Sequence, residues 1–229
     1  MSDTPPNPEL LRSLGRLVRG LSALFWGLPL ALLVYAETVK TDWLRAYTVF
    51  PPLATTGLLL FGLWQLGAFQ RQERPWRSAL DRTRLLALIN FGLSPFLYWW
   101  SRMPENPFFM VMVCVLAVSA LLFLYTLNRV LLRLGDMLPD ETLRSETRQF
   151  TALNQNLLAA LLIITAVYVG LKQIPELPGL LETLSHWADS SSFIALTFLV
   201  LLPLAMTMAL IWKTKEVILD NVFGSGQRE

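Results

Sequence analysis

Residues 106–128 read NPFFMVMVCVLAVSALLFLYTLN, an apolar stretch that contains no Asp, Glu, Lys or Arg. A helix of that length rises roughly 34 Å, enough to cross a hydrocarbon layer of about 30 Å. A membrane-spanning helix needs roughly 17–25 such residues, and five other charge-free runs also meet this length: 20–36, 46–70, 85–101, 149–171 and 190–212. The sequence therefore predicts an all-α, polytopic membrane protein built as a bundle of six transmembrane helices.

The composition also favours a membrane protein. Hydrophobic residues make up 54% of the chain and the mean hydropathy is +0.47, above what a soluble domain carries. The runs divide the chain into an N-terminal tail (1–19), a single membrane domain (20–222) and a C-terminal tail (223–229). The remaining loops are too short for an additional soluble domain of ordinary size.

Basic residues are distributed unevenly between the two sides of the predicted bundle. The segments on the side of the N terminus hold 15 of the 19 Lys and Arg residues: 1–19, 71–84, 129–148 and 213–229. The other side holds the remaining four, in 37–45, 102–105 and 172–189. Because basic residues are retained inside during insertion, we expect both termini in the cytoplasm, as in a bacterial-type inner membrane.

The first run has a second interpretation. Arg12, Arg16 and Arg19 precede an apolar segment, as in a secretory signal peptide. The long prelude and the bulky pair Phe25 and Trp26 favour a retained first span instead, because signal peptides have short apolar regions and small residues at their exit.

Two outer segments carry apolar residues at helical spacing. They are 37–49, with Trp43, Leu44 and Tyr47, and 172–190, with Leu180, Leu181, Leu184 and Trp187. Such stripes predict short interfacial helices on the outer face. They are compatible with packing as a lid over the bundle and with binding a partner.

Residue types that carry chemistry are almost absent from the runs. The chain has one histidine, His186, and one cysteine, Cys114, so the sequence predicts no metal site, no cofactor and no disulfide. Ser185, His186 and Asp189 follow one another in an outer loop without a nucleophile elbow, and so do not indicate a hydrolase. No acid or base lies at membrane depth, which argues against an intramembrane enzyme and against proton-coupled transport. A net charge of +2 gives no reason to expect nucleic acid as a partner.

Amides and a hydroxyl recur at one predicted depth. Each of four residues lies six positions from a basic residue at the inner end of its run: Gln65, Asn90, Asn154 and Thr207. Six positions correspond to about 9 Å of helix rise, and Gln155 and Asn156 extend this layer on the fifth run. We expect these side chains to face inward and to bond to one another or to water. The layer is either structural contact between helices or a site for a solute.

Prolines form a second layer, closer to the middle of the membrane. Pro29, Pro95 and Pro203 lie ten or eleven positions from Arg19, Arg84 and Lys213, which is about 15 Å of helix rise. Each proline frees a backbone carbonyl one turn earlier. This arrangement predicts that helices one, three and six adjoin at mid-membrane, either as simple kinks or around a binding site.

The inbound runs also show a weak repeat. Arg19, Arg84 and Arg148 are almost evenly spaced along the chain, and Thr-Arg is followed six positions later by an Asn in both the third and fifth runs. The pattern indicates three similar helical hairpins, although evenly spaced spans produce such matches by chance.

The predicted function follows mainly from the missing chemistry. The first hypothesis is a non-catalytic subunit of a membrane complex, or a helical bundle that binds a partner; the partners are the lipid bilayer and either another membrane protein or a second copy. The alternative hypothesis is a transporter or channel for a small neutral or apolar solute, which the amide and proline layers support.

Overall fold

The computed structural model describes residues 8–40, 47–69, 73–137, 141–171 and 200–220. Within these ranges the chain forms six helices and no strand. Their bounds are Pro8–Lys40 (α1), Phe50–Leu66 (α2), Arg74–Arg102 (α3), Pro107–Met137 (α4), Glu141–Leu171 (α5) and 200–220 (α6). Residues 41–46 of the first predicted outer helix, the whole of the second (172–190) and the first part of the sixth run (191–199) lie outside the described residues.

Three helical segments are long and apolar enough to cross a membrane. They are Arg12–Lys40, Pro107–Met137 and Arg144–Val167. Helix α2 is apolar as well, but it is shorter. These lengths and compositions support a helical membrane protein.

Prolines and turns set several helix ends. Helix α2 is shorter than the charge-free run 46–70 that contains it, because Pro51 and Pro52 lie at its start and Gly67 follows its last residue. The N–H of Gly67 bonds to the Trp64 carbonyl at 3.2 Å, a tight turn that ends the helix. At the start of α4, Asn106 Oδ1 accepts the N–H of Phe108 at 3.0 Å, which caps the first turn.

Consecutive helices pack against each other in antiparallel pairs. Glycines allow α1 and α2 to approach closely: a Cβ at Gly20 would lie 2.7 Å from the Gly62 carbonyl oxygen. A Cβ at Gly62 would in turn lie 3.0 Å from the Gly20 carbonyl oxygen, so the two backbones are in contact where larger residues would separate the helices. Helix α6 contacts α1, where the rings of Phe25 and Trp212 are 5.5 Å apart.

Most buried positions of α3 and α5 coincide when Arg84 is aligned with Arg148. Five positions match: Thr83, Ala87, Asn90, Ser94 and Leu97 of α3 align with Thr147, Thr151, Asn154, Leu158 and Leu161 of α5. Leu80 and Tyr98 of α3 are also buried, but their counterparts Arg144 and Leu162 are only half-buried. The same alignment relates the two Thr-Arg pairs in the sequence. Asn90 and Asn154 thus occupy corresponding places on their helices, which makes their different surroundings informative.

Candidate functional site

A hydrogen-bonded cluster joins α4, α5 and α6 and contains two residues of the predicted polar layer. The amide nitrogen of Asn154 lies 3.0 Å from Asn128 Oδ1, 3.0 Å from Thr207 Oγ1 and 3.2 Å from the Pro203 carbonyl. Asn128 donates to Thr207 Oγ1 at 2.9 Å, and Thr207 donates to the Pro203 carbonyl at 2.8 Å. All four residues are buried, so the cluster fastens three helices together.

Asn128 also belongs to this cluster, although it is not part of the polar layer predicted from the sequence. It stands next to Arg129, which placed it at the very end of its run. Helix α4, however, continues as far as Met137, so Arg129 does not mark the end of the helix. An exposed arginine can lie deeper than the membrane boundary, because its long side chain reaches back to the interface.

The central cavity has a volume of about 370 Å³ and is lined by residues of all six helices. Its wall is mostly aliphatic, with contributions from Leu28 (α1), Leu59 (α2), Leu124 (α4) and Leu204 (α6). None of the lining residues that the structure describes is charged. The cavity therefore suits an apolar or neutral molecule and not an ion.

The polar part of the wall comes from Asn90 on α3 together with Tyr35, Thr56 and Thr165. Thr56 donates to the Pro52 carbonyl at 2.7 Å and Thr165 to the Leu161 carbonyl at 2.8 Å, so both hydroxyl protons are used within their own helices. Asn90 is 7% exposed, and its Oδ1 accepts no hydrogen bond from the residues that the structure describes.

The contrast between Asn90 and Asn154 comes from their neighbours. The amide nitrogen of Asn154 faces two polar side chains and a backbone carbonyl, whereas Asn90 lies at the wall of the central cavity; the Oδ1 atom of each accepts no hydrogen bond within the described residues. Leaving a buried amide oxygen unpaired costs about 1–3 kcal/mol. Oδ1 itself is shielded from the cavity, so a ligand there would remove this cost only with the amide turned toward it.

Two of the three prolines, Pro29 and Pro203, lie next to the cavity, and none of the three is in its described lining. Leu28 and Leu204, which do line it, are the chain neighbours of Pro29 and Pro203. The carbonyl that Pro95 frees belongs to Phe91, and it accepts the Ser94 hydroxyl at 2.9 Å. Helices one, three and six therefore all reach the cavity, while the kink in α3 is satisfied locally.

The remaining members of the predicted layer lie elsewhere. Gln65 is half-buried on α2 and lines a cleft with Arg16 and Arg84 at the arginine-rich end. Gln155 is half-buried, and Asn156 is exposed on the outer side of α5. The layer predicted from the sequence is thus divided among a cluster, a cavity, a cleft and a surface.

Comparison with known protein families, with curated proteins and with solved structures finds no match to this chain. The described residues form an all-helical protein in which three helices are long and apolar enough to cross a membrane, and all six helices line an apolar cavity. In the described residues, no three His, Cys, Asp or Glu side chains are grouped as a metal site would require.

Proposed function

We propose that the protein is a non-catalytic, six-span membrane bundle that binds a small apolar or neutral solute in the central cavity, as a transporter or channel for such a solute would. The observation that carries this proposal is Asn90, a buried amide with an unpaired oxygen at the wall of an uncharged cavity. Buried polar groups in a pocket are usually paired, and an unpaired one indicates a missing partner.

The cavity wall narrows the chemistry of the solute. An aliphatic wall favours a hydrocarbon body, and the one amide in the wall, that of Asn90, favours one hydrogen-bonding group on it. A hydroxyl group matches best, because it can donate to the amide oxygen or accept from the amide nitrogen whichever way the amide is turned. The solute class is therefore a lipophilic alcohol or phenol.

The test measures the lipophile that the protein retains through purification. Organic extracts of the full chain, purified in mild detergent, are analysed by mass spectrometry and expressed per mole of protein. Ala120 lines the cavity, so Ala120→Phe should fill part of it and remove the retained compound. Ala160, exposed on α5, provides the matched control, and Ala160→Phe should retain the compound at the wild-type level. Equal retention by Ala120→Phe would reject the binding site.

The positions of the basic residues support a topology for the bundle. The side of the N terminus holds 15 of the 19 Lys and Arg residues. Because basic residues are retained on the cytoplasmic side during insertion, we propose that both termini lie in the cytoplasm. The central cavity then lies in the middle and outer half of the membrane, since Tyr35 at its wall stands roughly 24 Å of helix rise beyond Arg19.

The second candidate function is a subunit of a membrane complex, and Asn156 favours it. This amide is exposed on α5, at about 12 Å of helix rise beyond Arg148. Ala152 and Ala160, one turn on either side, are also exposed on this face. An amide that faces hydrocarbon is costly, and small residues beside it allow a second helix to approach.

Cysteine crosslinking in native membranes tests this second function. In a Cys114→Ala background, Asn156→Cys should give a crosslinked product, either with a second copy or with another membrane protein. Leu85 is exposed on α3 and serves as the control, so Leu85→Cys should remain uncrosslinked. The subunit function is rejected if the two cysteines behave alike.

A further inference from the structure

A second groove lies between α3 and α4 at the arginine-rich end of the bundle, and its volume is about 270 Å³. Three exposed arginines line it, Arg82, Arg129 and Arg133, together with the hydroxyl-bearing residues Ser78 and Thr126. We call it the arginine groove. None of the lining residues that the structure describes is acidic.

Within the described residues, no acidic side chain balances the positive charge of the arginine groove. Several other basic residues at this end have acidic partners, in the pairs Arg84 with Asp81, Arg148 with Asp136 and Lys213 with Glu146. The three groove arginines form no ion pair with any residue in the described ranges. Three guanidinium groups around one groove attract an anion, and the planar fork of arginine fits the oxygens of a phosphate.

The surface beyond the groove is apolar. One turn deeper on α4, Thr126 is followed by Leu122, which is 38% exposed, and then by the exposed Val118. On α3, Arg82 is followed by the exposed Leu85 and Ile89. Residues three and four apart lie on the same side of a helix, so a charged end and an apolar path follow one another along the same two helices.

We propose that the arginine groove binds the phosphate of an anionic phospholipid, with the acyl chains lying along the exposed apolar side chains of α3 and α4. Basic pockets between membrane helices bind the head groups of such lipids. The apolar path distinguishes a lipid from free phosphate, because only the lipid also gains contacts with the hydrocarbon-facing residues. This site is separate from the central cavity and does not depend on the solute proposed for it.

The experiment measures protection against heat unfolding when lipid is added to delipidated, full-length protein in detergent. Phosphatidylglycerol should raise the melting temperature, whereas phosphatidylcholine and inorganic phosphate at the same concentration should not. The variant Arg82→Gln/Arg129→Gln/Arg133→Gln should bind phosphatidylglycerol roughly a hundredfold more weakly, about fivefold for each arginine removed.

The control variant removes the same charge from α1, where Arg12, Arg16 and Arg19 are also exposed. Arg12→Gln/Arg16→Gln/Arg19→Gln should keep the affinity within about twofold, well inside the effect of one groove arginine. If the triple groove variant does not purify, the single change Arg129→Gln should still weaken binding about fivefold. The proposal is overturned by unchanged affinity in the groove variants, by an equal loss in the α1 control, or by equal protection from phosphate alone.

Discussion

Replacing the two asparagines that hold corresponding positions on α3 and α5 should change stability in opposite directions. Asn90→Leu removes a buried amide oxygen that has no described partner and puts an apolar side chain of similar size against an apolar cavity. Asn154→Leu removes the central donor of the cluster between α4, α5 and α6. The same chemical change therefore relieves a cost on α3 and breaks hydrogen bonds on α5.

The magnitudes follow from the contacts. An amide group has two N–H donors, so Asn154 makes two bonds at a time, worth about 0.6 kcal/mol each between membrane helices. Its loss also leaves Asn128 Oδ1 without this donor, at a further cost of about 1 kcal/mol, but it removes the unpaired Oδ1 of Asn154 itself, which recovers about 1 kcal/mol, so the net loss is about 1 kcal/mol. Removing the unpaired oxygen of Asn90 should recover about 1 kcal/mol.

The assay is heat unfolding of delipidated protein, followed by the fluorescence of the eight tryptophans. For a chain of this size, 1 kcal/mol shifts the melting temperature by roughly 2–4 °C. We expect Asn90→Leu to raise it by roughly 2–4 °C and Asn154→Leu to lower it by roughly 2–4 °C. Asn128→Leu should couple to Asn154→Leu in a double-mutant cycle, and Asn90→Leu should not. A similar loss of stability from Asn90→Leu and Asn154→Leu would show that Asn90 is bonded in the core, and would refute the reasoning.

Two further predictions concern packing and topology. Gly20→Ala should lower stability by about 1–3 kcal/mol in the same assay, because its Cβ would meet the backbone of α2. Gly92→Ala is the control: nothing lies near its Cβ, so it should be neutral or stabilising by up to about 1 kcal/mol. Equal effects of the two substitutions would contradict the close approach of α1 and α2. In intact cells and a Cys114→Ala background, a membrane-impermeant thiol reagent should label Glu105→Cys, in the exposed turn between α3 and α4, and leave Ser78→Cys unlabelled; labelling of Ser78→Cys from outside would reverse the proposed topology.

The helices were the most predictable part of the structure. Absence of charge over the length of a membrane span located a helix in each of the six runs, because apolar stretches of that length satisfy their backbone groups internally. Helix α2 is shorter than the run 46–70 that predicts it, because Pro51 and Pro52 lie at its start and a turn follows Leu66. The apolar runs therefore predict that a helix is present, whereas prolines and turns determine where it begins and ends.

The site was less predictable, because depth along a helix does not give its rotation. Counting six positions from a basic residue selects Asn154 and Thr207, and these two residues are hydrogen-bonded to each other. The same layer also included Asn90, at the cavity wall, and Asn156, which faces outward. Which amides meet depends on the residues of neighbouring helices, and a single sequence does not contain that pairing.

Asn128 shows the converse problem. Its position beside Arg129 suggested a membrane boundary, although the helix continues to Met137 and carries the exposed Arg129 and Arg133 into the arginine groove. Charge marks a boundary well only where the side chain lies at the water surface. An arginine with a long reach shifts the apparent boundary by a turn or more.

The central claim is that the central cavity holds a neutral lipophile whose donor group meets Asn90. The most direct test is an experimental structure of the protein in a lipid nanodisc, prepared without exposing it to delipidating detergent. We predict elongated, non-protein density in the cavity between Leu28, Leu124 and Leu204, with one end within hydrogen-bond distance, about 3 Å, of the Asn90 amide. A cavity filled by the protein's own side chains, with the Asn90 amide bonded to one of them, would contradict the account.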